Sequence, residues 1–196
     1  MSKYFYKYPY KPMQNSDFLK VKEIYNIQYF ENEKDYIFTG EIQDSWSLFY
    51  IDSGHISFEF ENKSLPVHLK KGHIILVPPM VGYSVTPSAN TKRFNIFRIS
   101  FNLTDNSLME SFVSNFMFPY SRYRYEIVRE IIREAQKSFE YSLNNISFDQ
   151  FNFSSESPFA SQQMIFSHLE RLMINLKRES LNDTGIPLGD ESLAES

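Results

Sequence analysis

Between Val21 and Leu103 short apolar runs are each closed by a turn signal after roughly eight to twelve residues, and this rhythm restricts the fold more than anything else in the chain. Trp46–Ile51 (WSLFYI) ends at Asp52-Ser53-Gly54, and Ile56–Phe60 follows at once with Ile56, Phe58 and Phe60 on one face. Leu65–Leu69 is a further short run, and its Pro66 marks an edge strand or a strand start. Lys70-Lys71-Gly72 turns the chain into His73–Val77, which Pro78-Pro79 stops, and Phe94–Phe101 completes the set. Such a series predicts an antiparallel barrel or sandwich.

After Leu103 the period changes. Ser107–Phe116 has the make-up of a short helix. Tyr125–Phe139 places Ile127, Val128, Ile131, Ile132, Ala135 and Phe139 on one helical face, with Glu126/Arg129 and Glu130/Arg133 on the other. Ser157-Pro158 predicts the N-cap and first turn of a second helix over 158–178, striped by Ile165, Leu169, Leu172, Met173 and Leu176 near coiled-coil spacing. The expected organisation is an arm at 1–20, a barrel at 21–103, a helical segment at 104–180 and a flexible polar linker at 181–196. The fold class is α+β.

Charge and composition exclude several functions. The formal net charge is −4, with Lys and Arg totalling 20 against 24 Asp and Glu, so this segment does not attract DNA or an anionic membrane. There is no cysteine, and no stretch reaches the ~18 apolar residues of a membrane span. The opening residues lack a signal peptide's apolar centre, so a cytoplasmic protein is expected. No Gly-x-Ser-x-Gly elbow or phosphate-binding glycine loop occurs. His55, His68 and His73 all lie near turns and could gather on one rim; the plainer reading of these three is solvent-facing side chains, as it is for His168.

Three segments in order, WSLFYIDSGHISFEF, LKKGHIILVPPMVGYSV and RFNIFRISF, resemble the sensor domain of AraC/XylS-type transcription regulators. FEYSLNNISFDQFNF and PFASQQMIFSHLERLMINL are similar to the helical extension of one subgroup. The resemblance covers most of residues 36 to 178 and implies a cupin-like barrel followed by dimerisation helices. It also implies a DNA-binding half with two helix-turn-helix units, which this chain does not contain.

Set against the cupin metal motifs, Gly54, Gly72 and Pro78 fit. Ser47 stands where the motif has a ligating Glu, Tyr83 replaces a ligating His, and Met80 replaces a Gly. No metal, cofactor or enzymatic activity is therefore expected. Alternation puts Phe94, Ile96, Arg98 and Ser100 on one face of their strand, and the resemblance makes that face the lining of an effector cavity. The candidate ligand-binding residues are Tyr83, Arg98, Ile96, Phe49, Trp46 and Phe58. Trp46 and Phe49 lie on opposite faces of their strand, so at most one of the two lines the cavity. Arg98 meets a ligand, pairs with an internal carboxylate such as Glu59, or lies outside the barrel.

The effector is expected to be a small polar molecule, a sugar or a small acid. Ile165, Leu169, Leu172, Met173 and Leu176 are the expected homodimer interface, with packing inside one chain as the other possibility. DNA is reached only through the other half of the regulator, and no membrane is involved. The competing function is a free-standing metal-free cupin enzyme or sugar-binding protein.

Overall fold

The computed structural model describes residues 19–33, 38–40, 43–61, 65–88, 91, 93–106, 109, 117–144 and 151–182. Most of the expected arm and linker, and nearly all of the expected Ser107–Phe116 helix, lie outside these residues. In chain order the elements are β1 (Val21–Glu33), β2 (Phe38–Gly40), β3 (Trp46–Ser53), β4 (His55–Phe60), β5 (Val67–Lys70), β6 (Ile74–Val77), β7 (Tyr83–Pro87), β8 (Phe94–Leu103), β9 (Met117–Phe118), α1 (Arg122–Ser138) and α2 (Ser161–Asn182).

The strands form two sheets, ordered β1-β8-β3-β6-β9 and β2-β7-β4-β5, and every described pairing is antiparallel. The first sheet is covered on both faces, which is why β6 reads Ile-Ile-Leu-Val and is buried at every position. The second sheet has a wet face, so β4 keeps His55 and Glu59 exposed while Ile56, Phe58 and Phe60 are buried. β5 is its edge, as Pro66 implies. Gly54 joins β3 to β4 at φ +80°, and a Cβ there would lie 2.6 Å from Phe94 Cβ and 2.9 Å from the Arg93 carbonyl oxygen. Only glycine fits that turn without strain.

Two apolar clusters result. One lies between the sheets and includes Phe30, Phe49, Phe58, Tyr83, Phe94 and Ile96. The other fills the space between the outer face of the first sheet and the helices, joining Trp46, Leu48, Tyr50, Phe97, Ile99 and Phe101 to the stripes of α1 and α2. The architecture is thus a cupin-like antiparallel barrel followed by a helical segment packed on its flank.

α1 follows the predicted stripe, with Ile127, Val128, Ile131, Ile132 and Ala135 buried. The charged side of α1 pairs differently from expectation. Arg122 meets Glu126 at 3.1 Å, whereas Arg129 reaches Asp52 on β3 and Glu130 faces His168 and Arg171 of α2. His168 is therefore packed between helices and not turned to solvent.

α2 starts later than its Ser-Pro signal indicates. Ser157 Oγ donates to the Ser138 carbonyl at 2.6 Å, and Ala160 adopts φ +58°, so 157–160 is a turn and the helix begins at Ser161. Arg124 of α1, almost wholly buried, donates to Glu179 of α2 and to the Pro119 carbonyl, tying the C-terminal end of α2 to the start of α1. No helix among the described residues is long and apolar enough to cross a membrane.

Candidate functional site

The interior of the barrel carries a polar patch set in aromatic walls. β8 lies between β1 and β3, with Arg98 in register with Gln28 on one side and Phe49 on the other, and Ser100 likewise between Asn26 and Ser47. Alternation aims Arg98 and Ser100 inward, as the sequence predicts. Arg98 is only 4% exposed. Its Nη1 and Nη2 donate to Gln28 Oε1 and Gln43 Oε1, both at a long 3.4 Å, and its guanidinium carbon stands 4.1 Å from the Phe38 ring centroid and 5.7 Å from that of Phe49. Its Nε has no hydrogen-bond partner, and among the described residues no carboxylate pairs with it. Glu59, the internal partner considered from the sequence, projects to solvent from β4.

Tyr83 enters the same space from the second sheet. Its ring packs edge-on to Phe49, near-parallel to Phe58 and tilted against Phe38, with centroids 5.6, 6.1 and 5.7 Å away. The hydroxyl is buried without a well-formed hydrogen bond. Burial pushes its pKa up, and nearby Arg98 and Ser47 offset only part of that, so the phenol stays neutral. Ser47 Oγ lies 3.0 Å from Ser100 Oγ, which also accepts from Asn26 Nδ2 at 3.0 Å. The set offers a cation with a spare N–H, a free phenol, two hydroxyls and amides. It is equipped to bind an acceptor or an anion. Among the described residues no group of three or more His, Asp or Glu gathers to hold a metal ion.

Phe49, Phe58 and Ile96 also face this interior. Trp46 does not. Its ring belongs to the cluster between sheet and helices, and its Nε1 donates to Asn106 Oδ1 at 3.1 Å, so its assignment to the ligand cavity is corrected. The interface assignment is corrected as well. Ile165, Leu169, Leu172, Met173 and Leu176 are buried inside the single chain against α1 and the sheet, and a second subunit cannot reach them without unfolding it. Gln28, Gln43 and Phe38, which surround Arg98, were not anticipated. Gln28 was readable in principle, since Asn26, Gln28 and Phe30 alternate on one face of β1, whereas Gln43 lies outside any strand.

No family model matches the chain, and no curated protein matches its sequence. Solved structures do match. The apo form of a variant of ToxT, an AraC-family regulator from Vibrio cholerae, superposes with a TM-score of 0.50 at 8% identity, over 79% of this chain and 56% of that one. ToxT bound to an unsaturated fatty acid gives 0.49 at 8% identity, over 88% and 60%. An RmlC-like cupin with a double-stranded β-helix fold from Methanocaldococcus jannaschii gives 0.33 at 15% identity, over 50% and 92%. The chain therefore spans little more than half the length of the ToxT structures. The likeness to ToxT is one of fold alone.

Proposed function

We propose that the chain is the effector-sensing and dimerising part of an AraC-type transcription regulator, that it works in the cytoplasm, and that it is not an enzyme. The fold shared with apo ToxT supports the class. DNA contact falls to another part of the whole regulator, in keeping with the net charge of −4. Dimerisation uses a surface other than the buried stripe of α2.

The observation that carries the ligand reading is Arg98, a buried guanidinium with an unpaired Nε and no described carboxylate beside it. A buried charge without a counter-charge is expensive, and a ligand anion is its natural complement. Of the two classes expected from the sequence, this favours a small acid over a sugar. Tyr83 donates the second polar contact, and Phe38, Phe49 and Phe58 hold the apolar body of the ligand.

The test is a thermal-shift panel of small carboxylic acids, an unsaturated fatty acid and neutral sugars against the wild-type chain, Arg98→Ala and Tyr83→Phe. A charge-assisted hydrogen bond contributes about 1.5–3 kcal/mol, so Arg98→Ala weakens acid binding roughly ten- to a hundredfold. Tyr83→Phe has a smaller effect of the same sign. A panel in which only sugars bind, or in which acid hits survive both substitutions, overturns the reading.

A further inference from the structure

Away from the barrel interior, His55, His68 and His73 border one cleft of about 570 Å³, together with Leu69, Lys70, Ser88 and Thr91. Its frame is tightly built. His55 pairs with Lys70 and Ser57 with His68 across β4 and β5, so these four share the outer face of the second sheet. The far wall is fixed by hydrogen bonds from Ser88 N to the His55 carbonyl (3.1 Å) and from Thr91 N to the Ser88 carbonyl (2.8 Å). The turn at 70–73 is fixed by His73 N to the Lys70 carbonyl (3.1 Å) and Gly72 N to the Ile51 carbonyl (2.6 Å).

The chemistry of the lining is one-sided. In a chain with 24 acidic residues, the described residues that border this cleft supply an ammonium, three imidazoles and two hydroxyls, and no carboxylate. Glu59 lies on the same face two residues further along β4 and does not line it. Ser57 Oγ sits 2.9 Å from His68 Nδ1 and 3.4 Å from Ser88 Oγ. With Ser57 donating to Nδ1, the His68 proton resides on Nε2, which is left as a donor. Nδ1 of His73 is buried without a partner. Burial and the nearby Lys70 both hold the His73 pKa down, so its ring is neutral and Lys70 is the cation that borders the cleft.

We propose that the cleft bordered by the 70–73 turn, Ser88 and Thr91 is a binding site for a phosphate group, with Lys70 supplying charge and His55, His68 and Ser88 supplying hydrogen bonds. The volume leaves room for the rest of a small phosphorylated molecule beside the phosphate, which is within the range of ligand clefts. The site is separate from the Arg98 patch and does not rest on the effector reading.

The test titrates the chain with inorganic phosphate against sodium chloride of equal ionic strength, following the histidine ring resonances by NMR. His168, on α2 against Glu130, is the internal reference. The ring signals of His55, His68 and His73 shift saturably with a Kd of about 1 mM or tighter while His168 stays put, and Lys70→Gln or His68→Gln weakens binding about tenfold. Both positions are solvent-facing, so the variants keep their fold. A hexose phosphate and its parent sugar separate the two sources of the group. Tighter binding of the ester than of phosphate points to a phosphorylated metabolite, and equal binding points to the free ion.

Four results overturn the proposal: no saturable shift, unchanged affinity in Lys70→Gln and His68→Gln, equal shifts from the parent sugar, or loss of the phosphate response in Arg98→Ala.

Discussion

Leu172→Ala separates the two roles that an apolar helix stripe can have. Leu172 is fully buried in the cluster that also contains Leu169, Met173, Leu176 and the inner face of α1. Removing its branched end deletes about three carbons at ~0.8 kcal/mol each, and the neighbours close the resulting cavity only in part, so a loss of about 3 kcal/mol is expected. For a domain of this size each kcal/mol lowers Tm by roughly 2–4 °C, which gives a drop of about 6–12 °C. The assay is calorimetric or urea unfolding of the wild type, Leu172→Ala and a control, Ile174→Ala, whose side chain lies on the outer side of α2 and is 38% exposed. The control should lose under about 1 kcal/mol. Each variant is measured at two protein concentrations tenfold apart, because stability lent by a partner subunit depends on concentration and stability from an intrachain core does not. A Leu172→Ala loss below about 1 kcal/mol, or one that changes with dilution, refutes the core assignment and restores the subunit interface.

Two further predictions follow from the same packing. Gly54→Ala, at φ +80° with the Phe94 Cβ and Arg93 carbonyl in the way, should cost about 2 kcal/mol or more in urea unfolding, whereas Ala160→Gly at φ +58° should be neutral or slightly stabilising. Burial raises the pKa of Tyr50, and of Tyr29, which also donates to Asp52 at 2.5 Å, and pushes Tyr141 up to about 12. These phenols are protected while neutral, so their contribution is complete below about pH 10 and is lost as pH rises beyond it. Stability should fall steeply between pH 10 and about 12, and phenolate absorbance should appear together with unfolding. Absorbance rising well before unfolding would contradict their burial.

How much the sequence disclosed depended on how one-sided each element's surroundings are. β3, β4, β6 and β8 were legible because dense apolar or aromatic runs end at strong turn signals. β7 passed unnoticed since it has only two inward apolar residues, Tyr83 and Val85, and β2 and β9 are too short to show a period. The inward aim of Arg98 needed only the two-residue repeat of a strand. That Trp46 and Phe49 oppose each other was equally plain. Which of them faces the lumen was decided by the helices, since a sheet covered on both sides has no polar face to mark the outside. The α2 stripe was misread for a related reason: apolar residues at helical spacing record that a partner exists, and α1 of the same chain meets that need as well as a second subunit does. Ser157-Pro158 misplaced the start of α2 because a turn uses those residues as readily as a helix does.

β8 is a wall shared by two rooms. Arg98 and Ile96 stand in the barrel, while Phe97 and Ile99, the next residues in either direction, stand among the side chains that hold α1 and α2. Close-packed interiors yield very little on compression, so a sub-ångström shift of backbone at Arg98 cannot be absorbed locally and must be met by the rings on the other side. On the proposed effector-sensing reading, a ligand at Arg98 would reach the helices through the thickness of a single strand, and a substitution at Phe97 that leaves ligand affinity untouched is where that coupling would be lost.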